Sequence, residues 1–232
     1  MKPKVTFATS CWERDWRRLL LDRDYLALLQ IGNHCFPFAE RLLILNNVND
    51  LDLLKRKAQE KVDSRVLSRY VVATDTLSDF GLQRSDFNDW QYYNMLGPLA
   101  AIREAKGDYL LYMTGDVYLK RPVNWIGKAI RCMEKNPRFK VANLTWNDNY
   151  REAQEESYRR TWNFFVADKG FSDQMFLVRT ADFRGPIYDE IRADGAHYPR
   201  GDVWEKRVFS YMKNHGWERI IYKRGSYTHE HI

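Results

Sequence analysis

Three cysteines are all that the sequence contains, and their spacing argues against two classes of small protein. Cys11, Cys35 and Cys132 lie far apart, and no Cys-x-x-Cys pair is present. Disulfide frameworks are rich in cysteines, and structural zinc sites typically contain Cys-x-x-Cys pairs. We therefore expect neither, and we expect the protein to work in a reducing compartment.

Long apolar runs are also missing. No segment approaches the roughly 20 consecutive apolar residues that a membrane-spanning helix needs, and the apolar stretch in MKPKVTFATSCWERDW is too short for a signal peptide. We therefore predict a cytoplasmic protein. No Gly/Ser-rich or low-complexity stretch divides the chain, so residues 1–232 are expected to form a single globular domain.

The two common glycine-rich phosphate loops are absent. The sequence has neither a Gly-x-Gly-x-x-Gly nor a Gly-x-x-x-x-Gly-Lys-Ser/Thr segment, which argues against an NAD-type site and a P-loop site. A nucleotide site in this chain would instead be built from side chains at strand ends. A metal ion would then neutralise the phosphate oxygens that no glycine loop cradles.

The formal net charge of +6 favours anionic partners, which include phosphates, nucleotides, nucleic acid and an acidic membrane surface. In WRRLLLDRD and LLKRKAQEKVDSR, however, basic residues are mixed with acidic ones at helical spacing. Such mixing is typical of a solvated helix face rather than of a nucleic-acid groove. We predict no nucleic-acid partner, while peripheral association with a membrane stays compatible with the charge.

Short apolar segments alternate with helical patterns along the chain. The predicted strands are KVTFA, RLLIL, RYVVAT, YLLYM, KVANL, QMFLV and RIIYK. Helices are predicted over residues 15–30, over LDLLKRKAQEKV, over WQYYNMLGPLAAIREAKG with a start or kink near Gly97 because of Pro98, and after a cap at Asn124. This order predicts an α/β fold with a mostly parallel central sheet, helices on both faces, and a ligand site beyond the carboxyl ends of the strands.

One carboxylate stands out at that edge. In YLLYMTGDVYLK, Asp116 follows a buried strand, where a charge is costly unless a partner, hydrogen bonds or a metal compensates. Polar residues also follow the first two strands, and their position makes them candidates for base and ribose contacts: Thr9, Cys11, Glu13, Asn47 and Asp50.

The segment NMLGPLAAIREAKGDYLLYMTGD, residues 94–116, resembles nucleotide-sugar-dependent glycosyltransferases of the GT-A fold, in particular those like family 2. In that family, a helix with Asn and Gly leads to Ala-x-Gly-x-Tyr, an apolar strand and an Asp-x-Asp metal motif. Thr114-Gly115-Asp116 falls on Asp-x-Asp, with Thr114 in place of the first carboxylate. The resemblance implies that Asn94, Thr114 and Asp116 contact the nucleotide sugar and that Asp116 binds Mn²⁺ or Mg²⁺.

Two weaker matches extend the resemblance. GFSDQMFLVRTADF is similar to the segment that carries the catalytic base of inverting members, which implies that role for Asp173. YTHEHI is similar in place to the late histidine of the metal shell, which implies that His229 or His231 is a metal ligand. Structural roles compete with each of these: a turn cap for Asp116, a helix cap or ion pair for Asp173, and a frayed terminus for the histidines.

Other residues are read mainly as structural. Asp202 and Glu205 have the spacing of a capping box at a helix start. Glu155 and Glu156 fit a solvated helix, although they stay alternative bases. An aromatic cluster fits core packing, with stacking on an acceptor sugar as the second interpretation: Trp146, Tyr150, Trp162, Phe164 and Phe165.

The resemblance therefore implies a metal-dependent, hexosyltransferase-type enzyme. It would move a sugar from a UDP-, GDP- or dTDP-sugar to a hydroxyl of a carbohydrate acceptor, with about residues 1–120 forming the donor half and about residues 121–232 the acceptor half. Two alternatives stay open. One is a sugar-phosphate nucleotidyltransferase, and the other is a non-catalytic nucleotide- or carbohydrate-binding domain.

Overall fold

The computed structural model describes residues 2–168, 170–194 and 204–230. Within these residues, ten strands belong to one mixed sheet: β1 (Val5–Cys11), β2 (Glu40–Leu45), β3 (Arg69–Val72), β4 (Tyr109–Thr114), β5 (Val117–Tyr118), β6 (Phe139–Trp146), β7 (Arg159–Arg160), β8 (Phe164–Ala167), β9 (Met175–Arg179) and β10 (Glu218–His229). The strand order is β3-β2-β1-β4-β9-β6-β10-β8-β7, and β5 pairs with β10.

Strand direction divides the sheet into two parts. Strands β3, β2, β1 and β4 are parallel neighbours, whereas β9 runs antiparallel to both β4 and β6. Strand β10 is parallel to β6 and antiparallel to β8. The predicted α/β class is confirmed, with a parallel sheet over the first four strands and a mixed sheet beyond them.

Helices cover both faces of the sheet, as predicted. They are α1 (Trp16–Leu21), α2 (Leu51–Asp63), α3 (Asp89–Glu104), α4 (Ile126–Lys135), α5 (Tyr150–Glu155), α6 (Thr180–Phe183) and α7 (Trp204–Asn214). Alternate residues of β4 enter opposite cores: Leu111 packs with α1, α2 and α4, while Leu110 packs with α3, α6 and α7. The period of two in a strand produces this division.

Helix α3 confirms the helix predicted over WQYYNMLGPLAAIREAKG and rules out a start near Gly97, while a kink there stays a prediction. The helix begins at Asp89 and runs through Pro98 to Glu104. The Asn88 side chain caps the helix by accepting a hydrogen bond from the Gln91 backbone N–H. The Gln91 side chain in turn accepts a hydrogen bond from the Asn88 backbone N–H. This capping box starts the helix one residue after Asn88. The buried face that includes Met95 and Leu99 then packs the helix on the sheet.

Two other helix boundaries differ from the predicted ones. The helix expected over residues 15–30 is two elements, α1 and a π-helix over Tyr25–Ile31, because Asp22 is extended and its side chain accepts hydrogen bonds from the next turn. Asn124 does not cap α4, since Trp125 occupies the N-cap position and its side chain is buried.

One edge of the sheet gathers residues that are far apart in sequence. The carboxyl ends of β1, β2 and β4 lie there because these strands are parallel. Antiparallel β9 brings its amino end, and so Asp173 and Gln174 just before it, to the same edge. The carboxyl end of β10 also arrives there, because His229 pairs with Val117 of β5 directly after β4.

None of the helices in the described part of the chain combines the length and the apolar character that crossing a bilayer requires.

Candidate functional site

A cavity of about 580 Å³ lies at this edge. Its walls come from the ends of β1, β2, β4 and β10, the first turns of α3, the segment before β9 and the start of α7. Ligand sites in open α/β sheets occupy this position. Six of the residues predicted for the site line the cavity: Asn47, Asn94, Thr114, Asp116, Asp173 and His229.

Asp116 is held by two neighbours. The Thr114 hydroxyl donates to Asp116 Oδ1 over 2.7 Å, and Nε2 of His229 lies 3.0 Å from Asp116 Oδ2. Burial by itself would raise the pKa of Asp116, but the hydrogen bonds from His229 and Thr114 outweigh it and lower the pKa below its usual value. The carboxylate is therefore charged and fixed in orientation.

A second carboxyl group lies behind Asp116. Asp15, 1% exposed, accepts a hydrogen bond of 2.8 Å from the Trp12 N–H. Burial raises the pKa of Asp15 to about 8, and the charge of Asp116 adds to the rise. A Cβ atom on Gly115 would overlap Asp15 Oδ2, so only glycine fits at this position. Asp15 was not among the predicted site residues, although it lies shortly after β1.

Asp173 faces a third carboxyl group, that of Glu205. The Glu205 carboxylate accepts a hydrogen bond from the Asp173 N–H, and both side chains line the cavity. Burial raises the pKa of Asp173 to about 6, although His229 opposes the rise. Burial, followed by the proximity of Asp173, raises the pKa of Glu205 as well. Both carboxyl groups therefore take up a proton more readily than exposed carboxyl groups do.

Glu205 was read as part of a capping box, and its position in the cavity corrects a purely structural interpretation. Its proposed partner, Asp202, lies outside the described residues. No local signal in the sequence separates the two roles, because an acidic residue in the first turn of a helix is common in either case. Only the packing of α7 against the segment before β9 brings Glu205 beside Asp173.

Four other predicted residues do not line the cavity. Thr9 and Cys11 are buried within β1. Glu13 accepts a hydrogen bond from the Asn49 N–H over 2.8 Å, and Asp50 caps α2 by accepting from the Leu53 N–H over 2.9 Å. Their contacts with a nucleotide stay predictions. His231 lies outside the described residues.

Exposed aromatic side chains form part of the cavity wall. Trp12 follows β1, while Trp90 and Tyr93 belong to the first turns of α3, and the three are 38–46% exposed. The Asn46 side-chain amide donates to the Tyr93 carbonyl over 2.7 Å and ties β2 to this helix. Planar aromatic side chains at a cavity mouth suit a flat ligand group such as a nucleobase.

The aromatic cluster near residue 160 divides into two groups. Phe164 and Phe165 are buried, which agrees with core packing. Trp146, Tyr150 and Trp162 are exposed, and Trp162 reaches 82%. Of the two alternative bases, Glu155 pairs with Arg151 on an exposed helix face, and Glu156 pairs with Arg219.

In this cavity, two described side chains that contact each other offer suitable metal donors. Asp116 and His229 supply an oxygen and a nitrogen side by side, but no cluster of three or more ligating side chains occurs among the described residues. Mg²⁺ and related ions in nucleotide sites often bind one or two protein carboxylates, with substrate phosphates and water completing the shell. The donor set fits an ion of that kind and does not fit a closed structural metal site.

Comparisons of sequence return no match, either to a protein-family model or to a curated protein. Comparisons of structure return matches to solved structures. GalNAc-T7 with UDP, GalNAc and Mn²⁺ matches with a TM-score of 0.55 at 12% identity over 98% of this chain and 43% of that one. The mannosyltransferase PcManGT from Pyrobaculum calidifontis, in complex with GDP-Man and Mn²⁺, matches with a TM-score of 0.57 at 12% identity over 98% of this chain and 57% of that one.

The chain has the GT-A fold. It spans about half the length of these two neighbours. A synthetase of CMP and 2-keto-3-deoxy-manno-octonic acid, complexed with CTP, also matches, with a TM-score of 0.49 and 13% identity. In this GT-A fold, Asp116 follows β4 and lines the cavity, while its role as a metal ligand stays a prediction.

Proposed function

We propose that the protein is a glycosyltransferase that moves a sugar from a nucleoside diphosphate to a hydroxyl of a carbohydrate. The observation that carries the proposal is the pair of Asp116 and His229 in a cavity that Asp173 also lines. The pair can hold a diphosphate through a cation, and Asp173 can accept a proton. A metal-assisted transfer with a side-chain base uses both.

The donor would bind along the ends of β1, β2 and β4. Trp12, Trp90 and Tyr93 offer flat surfaces for the nucleobase, and Asn47 and Asn94 offer amide groups. Solved structures with this fold, both 12% identical, contain UDP in one case and GDP-Man in the other. The choice among UDP-, GDP- and dTDP-sugars belongs to the test below.

Charge supports a requirement for a cation. Four carboxyl groups line the cavity: Asp15, Asp116, Asp173 and Glu205. Among the described lining residues, the basic side chains are Arg14 and His229. Burial raises the pKa of Asp15 and Glu205, whereas the pKa of Asp116 is lowered, so Asp116 carries the negative charge that a diphosphate would meet. That contact is unfavourable unless a divalent ion intervenes. Asp116 and His229 would hold Mn²⁺ or Mg²⁺, which stabilises the negative charge that develops on the leaving diphosphate.

The base is the second element of the proposal. Asp173 would accept the proton of the acceptor hydroxyl as the new glycosidic bond forms. Glu205 lies beside it and shares the wall. About residues 1–120 would then form the donor half, and residues 121–232 would form the acceptor half.

The test measures nucleotide release from UDP-, GDP- and dTDP-sugars with and without Mn²⁺, together with calorimetric binding of the nucleoside diphosphates. Asp116→Ala should weaken Mn²⁺-dependent diphosphate binding by about 10- to 100-fold, because a metal ligand or its support is lost. Asp52→Ala is the matched control, since this carboxylate is exposed in α2 and does not line the cavity.

Equal Mn²⁺-dependent binding by Asp116→Ala and the wild type would contradict the proposal. Release of pyrophosphate from a nucleoside triphosphate and a sugar phosphate would indicate a nucleotidyltransferase instead. Binding of a nucleotide sugar without turnover, in the presence of suitable acceptors, would indicate a binding domain.

A further inference from the structure

A second cavity, of about 230 Å³, adjoins the first one. It lies between α5, the end of β6, β10 and the segment Gly170–Gln174. Gln174 and Glu205 line both cavities, so the two spaces are neighbours that share these side chains. A water molecule occupies about 30 Å³ in the liquid, so the space is much larger than a single structural water needs. It is of the size of one sugar ring.

Buried polar atoms in its wall lack partners. Asn143 and Thr145, 4% and 1% exposed, line the cavity from β6. Within the described residues, Asn143 Oδ1 and Thr145 Oγ1 have no hydrogen-bond partner. Native proteins rarely leave buried polar groups unpaired, and such groups usually await water or a ligand. The wall is therefore prepared for a molecule that carries hydroxyl groups.

Apolar surfaces complete the wall. Phe171, Ile221 and Tyr227 are buried side chains along the cavity, and Trp146, 39% exposed, lies at the end of β6. Sugar rings have apolar C–H faces together with polar edges, and they bind to such mixtures of aromatic and hydrogen-bonding groups. This chemistry fits a sugar better than it fits a purely apolar ligand.

The charges limit which sugar can enter. Glu152, Glu156 and Glu205 line the cavity, and Arg219 is the basic side chain among the described residues of its wall. The guanidinium of Arg219 is already paired with the Glu156 carboxylate. Among the described residues of this wall, an anionic ligand would therefore find no unpaired basic side chain, and it would lie near the carboxyl groups of Glu152 and Glu156. Like charges in a partly buried site are costly.

We propose that this second cavity is the acceptor subsite and that it takes an uncharged sugar ring rather than a phosphorylated or carboxylated one. The inference rests on the proposed glycosyl transfer, because it places the acceptor hydroxyl at the wall shared by Glu205 and Gln174, next to Asp173. There the hydroxyl oxygen forms a bond to the anomeric carbon of the donor sugar. The bond from that carbon to the diphosphate breaks, and its electron pair leaves on the diphosphate. The proton of the hydroxyl passes to the carboxylate of Asp173.

The first experiment alters the cavity without altering the donor site. Thr145→Val removes a hydroxyl that has no partner in the structure, in a nearly isosteric change. Thermal stability should not fall, because no internal hydrogen bond is lost. The acceptor KM should rise about 2- to 10-fold, the effect of one lost hydrogen bond, while binding of the nucleoside diphosphate and hydrolysis of the donor by water stay unchanged.

Ala153→Leu fills the same cavity from α5 and should raise the acceptor KM at least about 10-fold. Gln154→Leu is the matched control, since this neighbour in α5 is exposed and does not line the cavity. Both variants should keep the donor hydrolysis of the wild type.

The second experiment compares acceptors. Methyl glycosides of glucose, galactose, mannose and N-acetylglucosamine are tested beside their 6-phosphates and the corresponding uronic acids. We expect kcat/KM for the best neutral ring to exceed that of its anionic counterparts by about 10-fold or more. Equal use of anionic rings, donor hydrolysis without transfer to any ring, or an unchanged acceptor KM in both cavity variants would overturn the inference. Absence of nucleotide binding and of donor hydrolysis in the wild type would instead overturn the proposed function.

Discussion

At the scale of single residues, burial decides which carboxyl groups of the site are charged. Asp116 keeps a pKa below its usual value, since hydrogen bonds from His229 and Thr114 outweigh its burial. In Asp173, burial outweighs the opposing effect of His229 and raises the pKa to about 6. The first group suits a cation, and the second suits the gain and loss of a proton. The same residue type thus serves two different purposes a short distance apart.

Asp173→Asn should separate binding from chemistry. A residue that only receives the acceptor proton acts in the transition state and adds little to donor affinity. We expect Mn²⁺-dependent nucleotide binding to stay within about twofold of the wild type, while transfer slows by about 10² to 10⁴, the usual range for loss of a general base. Single-turnover transfer and calorimetry measure the two effects.

Glu205→Gln is the companion variant, because this carboxyl group lines the same wall. If Asp173→Asn transfers sugar at the wild-type rate and Glu205→Gln does not, the base is Glu205. If neither variant slows transfer, the base lies elsewhere, and Glu156 in the second cavity is the next residue to change.

At the scale of elements, helices α2 and α3 have similar N-caps, but only α3 lines the cavity. Asn88 caps α3 and Asp50 caps α2, each through a side chain that accepts an N–H of the first turn. The first turns of α3 carry Trp90, Tyr93 and Asn94 into the cavity, whereas no residue of α2 lines it. A loosened α3 would therefore disturb the donor side, and a loosened α2 would not.

Asn88→Ala and Asp50→Ala test this difference. Each should lower the free energy of unfolding by about 1 kcal/mol, the usual cost of losing an N-cap. Only Asn88→Ala should also weaken nucleotide binding, by a few-fold, because it loosens the helix turns that line the cavity. Urea denaturation gives the first quantity and calorimetry the second. Weaker nucleotide binding in Asp50→Ala alone would reverse this assignment and would support the contact that the sequence predicted for Asp50.

At the scale of the whole molecule, the core on one face of the sheet contains a fully buried histidine. His34 follows the π-helix, and its Nδ1 accepts a hydrogen bond of 3.0 Å from the Trp125 indole N–H. Its Nε2 lies 3.1 Å from the Met113 sulfur in β4. Burial lowers the pKa of His34 to about 3. These two contacts of His34 join Met113 of β4 to Trp125, which precedes α4. The bond from Trp125 needs a neutral ring, because only an unprotonated Nδ1 can accept it.

This pKa makes the fold sensitive to acid. The unfolded chain protonates His34 below about pH 6.5, whereas the folded protein does so only near pH 3. Stability should therefore fall as the pH drops from 6.5 towards 3, by about 2–3 kcal/mol between pH 6.5 and 4.5 from this group. His34→Gln should remove that part of the slope, as measured by urea denaturation at several pH values.

His215→Gln is the control for this measurement, because its ring is 45% exposed and lies 2.7 Å from a Glu190 oxygen. It should leave the contribution of His34 to the slope intact. An identical pH dependence of stability in His34→Gln and the wild type would contradict the role given to this histidine.

Local patterns in the sequence determined the elements and one part of the site. The apolar runs YLLYM and RLLIL lie in strands β4 and β2, and their side chains are mostly buried on both faces of the sheet. The spacing around residues 94–116 also located Asp116 at the end of β4, since a strand end is a local feature. Helix bounds were less predictable where a cap or a break, as at Asn88 and Asp22, competed with the apolar pattern.

Tertiary structure decided which distant residues join Asp116. His229 reaches it because β10 ends at the same edge as β4, and Asp173 because β9 is antiparallel. By sequence, Asp15 and Glu205 are acidic residues at the starts of helices. The close approach at Gly115 brings Asp15 into the cavity, and the packing of α7 brings Glu205 there. Strand direction and helix packing depend on the total burial of both cores, a sum over the whole chain that no short segment contains.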